Sequence, residues 1–330
     1  MSAAWAVIVL TTMDGGAARA VDVLARADQQ VSLHVAVREE GAGRCVLYTD
    51  APKVRSGCVV RGWPKGWSAT WYKVESAEAA YDNLAGGRFA FAPIRWARSR
   101  WRDAVSVEAD VTPILRQGLP EAWKAGTMRY QVAVSGPGGG VVWSPGLEEA
   151  APGGPKRRND IRKVTLRWAD TYLGYMAELA GLPYVFGSAA QGREPHQAER
   201  RVGVDCADLM VYGLRRMGHD VAYRSSRTLS PVSRAVVPRI TARKGGVYLF
   251  EGAPITVGPD GVQPGDWLVF EGHVGAFVAD RGQLGVLDEQ DLLMHIAWRE
   301  LAVEPLLRSG YGAAPFEIRR ANALALESAN

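Results

Sequence analysis

Of the three cysteines in the chain, Cys206 is the one whose surroundings read as chemistry. A thiol becomes a useful nucleophile when something favours its thiolate and a base lies nearby. The run CADLMVYGLRRMG turns Leu209, Met210, Leu214 and Met217 towards a core and stops at Gly218, so it reads as a helix that begins at Cys206. At such a start, free backbone N–H groups and the positive end of the helix dipole favour an anion by about 0.3–1 kcal/mol. The strand-like run GHVGAFV offers His273, an imidazole able to take the thiol proton if the sheet packs on that helix. A third polar residue is then needed to orient the ring. The competing reading of His273 is a hydrogen-bonded core histidine.

The elements around these residues suggest two folded parts. From about Val31 to Val142 short alternating runs such as VSLHVAV, RCVLYTD, VSVEADV and MRYQVAV are separated by turn residues, the pattern of an all-β sandwich. A Pro/Gly-rich, charge-flanked stretch, SPGLEEAAPGGPKRRND, has the composition of a linker. Beyond it, IRKVTLRWADTYLGYMAELAG carries Val164, Trp168, Tyr172, Met176 and Leu179 near helical spacing and ends at Gly181-Leu182-Pro183. After the Cys206 helix come GVYLFEG, PGDWLVFE, GHVGAFVAD and DLLMHIAW, short strands joined by turns that favour antiparallel pairing. The expected division is a signal segment over 1–20, a sandwich over 21–143, a linker over 144–160 and a catalytic domain over 161–330.

Four motifs in this second part resemble those of the NlpC-type papain-like cell-wall cysteine peptidases. Pro183-Tyr184-Val185-Phe186-Gly187 is similar to the family's Tyr-x-Trp/Phe-Gly-Gly lead-in, and Val204-Asp205-Cys206-Ala207-Asp208-Leu209 to its Asp-Cys-Ser-Gly-Leu nucleophile segment. Pro264-Gly265-Asp266-Trp267 resembles the turn entering the core sheet, and Gly272-His273-Val274-Gly275 the strand that supplies the base. Their order along the chain is also the family's. The resemblance implies an α+β fold class, the sandwich followed by a papain-like domain with helices packed on an antiparallel sheet. It further implies Cys206 as nucleophile, His273 as general base and then acid, and Tyr184 as a wall of the site whose hydroxyl helps bind the oxyanion beside the Cys206 N–H. The implied reaction is hydrolysis of peptidoglycan stem peptides at the bond between D-glutamate and a diamino acid, with no cofactor and no metal.

The sequence departs from the family at Ser188, in place of the second Gly of the lead-in, and at Ala207 and Asp208, in place of Ser-Gly. A carboxylate at Asp208 suits the first turn of a helix, but aimed at the thiol it would raise the thiol pKa. Two residues along a helix it lies on a different face, the harmless reading. The long basic loop SAAQGREPHQAERR is expected to line the substrate cleft. In the family the orienting residue lies on the strand after the His strand. His295 fits if Asp280 to Asp291 forms an enlarged hairpin loop, and Asp288 fits a shorter one.

Composition narrows the remaining choices. The chain has 330 residues, 47% of them hydrophobic and 22% charged, which excludes wholesale disorder, collagen-like and coiled-coil chains. A net charge of +4 suits an anionic partner such as a cell wall. No stretch approaches the roughly 20 apolar residues of a membrane-spanning helix. AAWAVIVL followed by Ala18-Arg19-Ala20 reads as an export signal, or else as an edge strand with Trp5, Val7 and Val9 on one face. In an exported protein Cys45 and Cys58, joined by a segment that reads as a hairpin connection, are able to pair. Otherwise they are small buried hydrophobes. The interleaved GWPKGWSATWYK and IRWARSRWR are read either as core Trp with solvated Arg or as a surface that stacks on wall glycan. No nucleic-acid-binding motif accompanies them. The expected partner is peptidoglycan or its muropeptides, and the expected state an exported monomer.

Overall fold

The alternation in VSLHVAV turns Val31, Leu33, Val35 and Val37 to one face, and all four side chains are buried. The computed structural model in which they sit describes residues 4–41, 44–84, 87, 94–116, 119, 123–136, 139–146, 161–187 and 196–327. The linker stretch from 147 to 160, Ser188 and most of the basic loop lie outside these residues. The chain forms two compact units, one of Met1–Glu78, Phe91–Gln117 and Glu121–Trp168, the other of Ala79–Ala90, Gly118–Pro120 and Ala169–Asn330.

The first unit contains β1 (Ala4–Met13), β2 (Val23–Arg26), β3 (Val31–Gly41), β4 (Arg44–Thr49), β5 (Val59–Arg61) and β6 (Ser68–Ser76). β7 (Ala80–Asp82) belongs to the second unit, after which the first continues with β8 (Trp96–Asp103), β9 (Ser106–Glu108), β10 (Gly126–Ser135), β11 (Val141–Trp143) and β12 (Arg162–Arg167). One sheet runs β1-β3-β4-β5 with β9 also on β3, and the other runs β2-β12-β10-β6-β8 with β11 also on β10. Val9, Leu33 and Val35 of the first sheet and Trp71, Tyr130 and Val164 of the second share one core. Residues 4–10 of the AAWAVIVL run lie in β1, at the edge of its sheet, with Val7 and Val9 buried and Trp5 exposed. Trp71 is buried, and its indole N–H donates to the Ala104 carbonyl at 2.9 Å.

Cys45 and Cys58 are disulfide-bonded, but no hairpin joins them. β4 and β5 pair in parallel with Val46 opposite Val59, so the residues just before them come side by side at the ends of two parallel strands.

The second unit continues with α1 (Tyr172–Ala177), β13 (Tyr184–Phe186), α2 (Cys206–Arg216), β14 (Ser233–Ile240), β15 (Ala242–Lys244), β16 (Val247–Phe250) and β17 (Ala253–Pro254). It ends with β18 (Trp267–Phe270), β19 (His273–Ala279), β20 (Leu292–His295), β21 (Ala302–Pro305), β22 (Phe316–Ala321) and α3 (Asn322–Glu327). Its main sheet has the order β14-β22-β18-β19-β20-β21, antiparallel throughout.

This architecture overturns the α+β, papain-like expectation. The protein is mostly β, 45% strand and 11% helix, with three α-helices among the described residues and no papain-like layer of helices packed on a sheet. The apolar spacing over 161–181 misled because it spans two elements. In RKVTLR a period of two prevails: Val164 and Leu166 turn inward and the strand pairs with β10 and β2. Helix starts only at Tyr172, where the Thr171 hydroxyl accepts from Gly174 N–H at 3.2 Å.

The Pro264-Gly265-Asp266 turn is a structural anchor. Asp266 is buried, accepts from Arg320 Nε and Nη2 at 2.7 Å each, and accepts from Gln263 N–H at 2.8 Å. Arg320 is buried as well and lies on β22, so this pair fixes the entry to β18 against its neighbour. Asp266→Ala leaves a buried guanidinium without its carboxylate and is expected to destabilise the second unit by about 3 kcal/mol or more. Hydrogen exchange of the β18 and β22 amides measures this.

Candidate active site

Asp205 is the N-cap of α2, and its carboxylate accepts from Ala207 N–H at 2.9 Å and Asp208 N–H at 2.8 Å. Asp208 returns the favour, accepting from Asp205 N–H at 3.3 Å, so the two acids form a capping box. The Asp208 carboxylate also lies 3.4 Å from His196 Nε2, in the described part of the basic loop. Asp208 thus serves the cap and the loop. Cys206 stands immediately after the N-cap, where the backbone N–H groups of Val274 and Ala207 act on its sulfur.

The helix end does not make this thiol acidic. Cys206 is 6% exposed, and its burial, with the charges of Asp205 and Asp208, pushes the thiol up to about 12 against the easing effect of the two N–H groups. The helix start favours an anion, but the thiol it positions is buried and held in its protonated form. Desolvation exceeds the dipole here because the sulfur sits among buried side chains with two carboxylates close by.

α2, which begins at Cys206, packs against β19, the strand that begins at His273. The His273 ring is buried, with Nε2 at 3.0 Å from Nδ1 of His295 on β20. Burial, His295 and Arg299 together lower His273 to about 3, and burial with Arg299 lowers His295 to about 4. Both rings are neutral. Gly275 makes room for this pairing, since a Cβ there would lie 2.8 Å from the Leu293 side chain and 3.0 Å from the His295 Cβ. The far nitrogen of His295, Nε2, lies 2.8 Å from Glu304 Oε1 on β21, and Arg299 Nη2 donates to the same oxygen. The Tyr311 ring stacks on His273 at 4.1 Å between centroids and 15° between planes.

Asp288, the alternative orienter, is committed to the β19–β20 loop: its carboxylate accepts from Gln283 N–H at 2.6 Å and Gln290 N–H at 2.8 Å. Tyr184 is set near Cys206 by its own strand. β13 pairs in parallel with β7, and Val185 N–H and Pro183 C=O bond Val204, two residues before Cys206. The Tyr184 hydroxyl is pushed up by burial first and by the nearby Cys206 and Asp205 next, so it keeps its proton. Phe186 and the half-exposed Trp298 continue an aromatic wall from it, with ring centroids 5.0–5.4 Å from Trp298.

The structure thus gathers Cys206, His273, His295 and Tyr184 in one unit and adds Glu304, Arg299 and Tyr311, which sequence reasoning missed. Glu304 lies on a four-residue strand, AVEP, too short to signal itself, and Tyr311 sits in the loop before β22. The cap role of Asp205 was the legible one, an Asp before a helical run with an acid three residues on. Comparison with protein-family models, curated proteins and solved structures found no match. The NlpC-type resemblance rests on the motifs that carry it.

Two pH effects follow. Alkylation of Cys206 by iodoacetamide is expected to be slow at neutral pH and to keep rising through pH 10, as a thiol near 12 requires. A plateau near neutrality would indicate a preformed thiolate–imidazolium pair instead. The unfolded chain protonates its histidines below about 6.5, whereas folded His295 and His273 take protons only near 4 and 3. Stability present above 6.5 is therefore lost as pH falls through that window, by up to about 1.4 kcal/mol per pH unit for each ring. A shallower acid dependence in His295→Asn, read by denaturant unfolding at pH 7 and pH 4.5, checks it.

Proposed function

We propose that the second unit is a thiol-dependent amide hydrolase acting on peptide stems of peptidoglycan, at the bond between D-glutamate and a diamino acid. One arrangement carries the reading: a helix that begins at a cysteine packs against the strand that carries a buried, histidine-paired histidine. The Cys206 sulfur attacks the amide carbonyl carbon, and His273 takes the thiol proton as the C–S bond forms. His273 then gives that proton to the leaving nitrogen as the C–N bond breaks. Water attacks the thioester, gives its proton to His273 and releases the acid, and the proton returns to sulfur. The Tyr184 hydroxyl and the Cys206 N–H serve the oxyanion.

Because both partners rest neutral, proton transfer accompanies attack rather than preceding it. The Cys45–Cys58 disulfide supports an exported setting, where such bonds persist. The four motifs support the wall substrate.

The depth of the sulfur favours a second reading, a wall-binding protein with impaired catalysis. Digestion of purified muropeptides separates the two. Wild-type cleavage that Cys206→Ala abolishes and that His273→Ala lowers about 100-fold or more is expected. Activity unchanged in His273→Ala would remove that ring from the mechanism, and no cleavage by the wild type would leave the binding reading.

A further inference from the structure

From His273 the hydrogen-bond chain runs through His295 to Glu304, and the carboxylate determines its direction. An ionised carboxylate only accepts, so at Glu304 the proton of the 2.8 Å contact belongs to His295 Nε2. A neutral imidazole carries one ring proton, which leaves His295 Nδ1 as an acceptor. The 3.0 Å contact between the rings then needs a donor, and only His273 Nε2 supplies one. That proton spent, the Nδ1 of His273 holds a lone pair. It is the ring nitrogen nearer the backbone of β19, the strand against which the helix beginning at Cys206 packs.

We propose that Glu304 is a positioning residue that sets the proton on each of the two imidazoles and leaves the unprotonated Nδ1 of His273 as the nitrogen able to take the Cys206 proton. Without an acceptor at position 304, His295 is free to carry its proton on Nδ1 and donate it to His273 Nε2. The His273 proton then moves to Nδ1, and the nitrogen left for the thiol carries a proton where a base is needed. Arg299 shares the Glu304 oxygen and holds the carboxylate in place, as a permanently charged donor does. Tyr311 stacked on His273 restrains the ring from turning its nitrogens around.

This proton order deepens the hydrolase reading of the same site and rests on it, but it is measurable without substrate. With five histidines in the chain, long-range ¹⁵N–¹H correlation spectra of histidine-labelled protein resolve each tautomer. At pH 7 the wild type is expected to show both His273 and His295 protonated on Nε2. Glu304→Gln retains an accepting oxygen and is expected to retain both tautomers. Glu304→Leu removes it, and is expected to shift His295 and His273 towards the Nδ1 proton and slow Cys206 alkylation about tenfold or more. A wild-type His273 with its proton on Nδ1 overturns the proposal, as do unchanged tautomers in a folded Glu304→Leu. Where the Leu variant fails to fold, the wild-type and Gln spectra decide. A chain that cleaves no muropeptide yet shows these tautomers refutes the hydrolase and retains the proton order.

Discussion

Two imidazoles buried side by side survive in a protein interior only if every nitrogen that needs a partner has one, and that requirement organises the second unit. The His273–His295 contact of 3.0 Å demands that β19 and β20 approach closely, which Gly275 permits, and that a third strand bring an acceptor to the outer ring, which β21 does with Glu304. The antiparallel order β19-β20-β21 is therefore more than scaffolding. Each successive strand contributes the next atom of a single polar chain, and an unpaired member of it would cost as much as a lost core side chain.

The same burial that makes the pair orderly makes the thiol reluctant. A helix start and two backbone N–H groups invite negative charge on Cys206, yet the surrounding side chains and the capping acids Asp205 and Asp208 outweigh them. The capping box that fixes where α2 begins thus opposes ionisation of the residue it positions. Local stability and thiol ionisation pull in opposite directions at this helix end, and stability prevails.

The sequence was legible where a residue's role is local. The start of α2 at Cys206, its stop at Gly218, and the strands around Val35, Val132, Leu268 and Val274 all follow from short-range period and turn chemistry. The Glu304 and Tyr311 contacts depend on which strand lies beside which, information that no window of residues carries. Spacing also failed at 161–181, where two elements of different period abut and together imitate one helix. The fold class failed for a related reason: motif order can be shared while the layers around the motifs differ, and this unit is built chiefly of strands.

The parallel pairing of β7 with β13 carries a practical corollary. Residues 80–82 precede most of the first unit's second sheet in the chain, yet they complete the ribbon that holds Tyr184. The unit that holds Cys206 is thus not contiguous, and cutting the gene at the apparent linker would sever the ribbon from its mate. A C-terminal fragment would expose the backbone of β13, the strand whose continuation seats Val204 ahead of the thiol. Evolutionary shuffling of this module as a unit would meet the same obstacle, since segments of the two units alternate along the chain and must be inherited together.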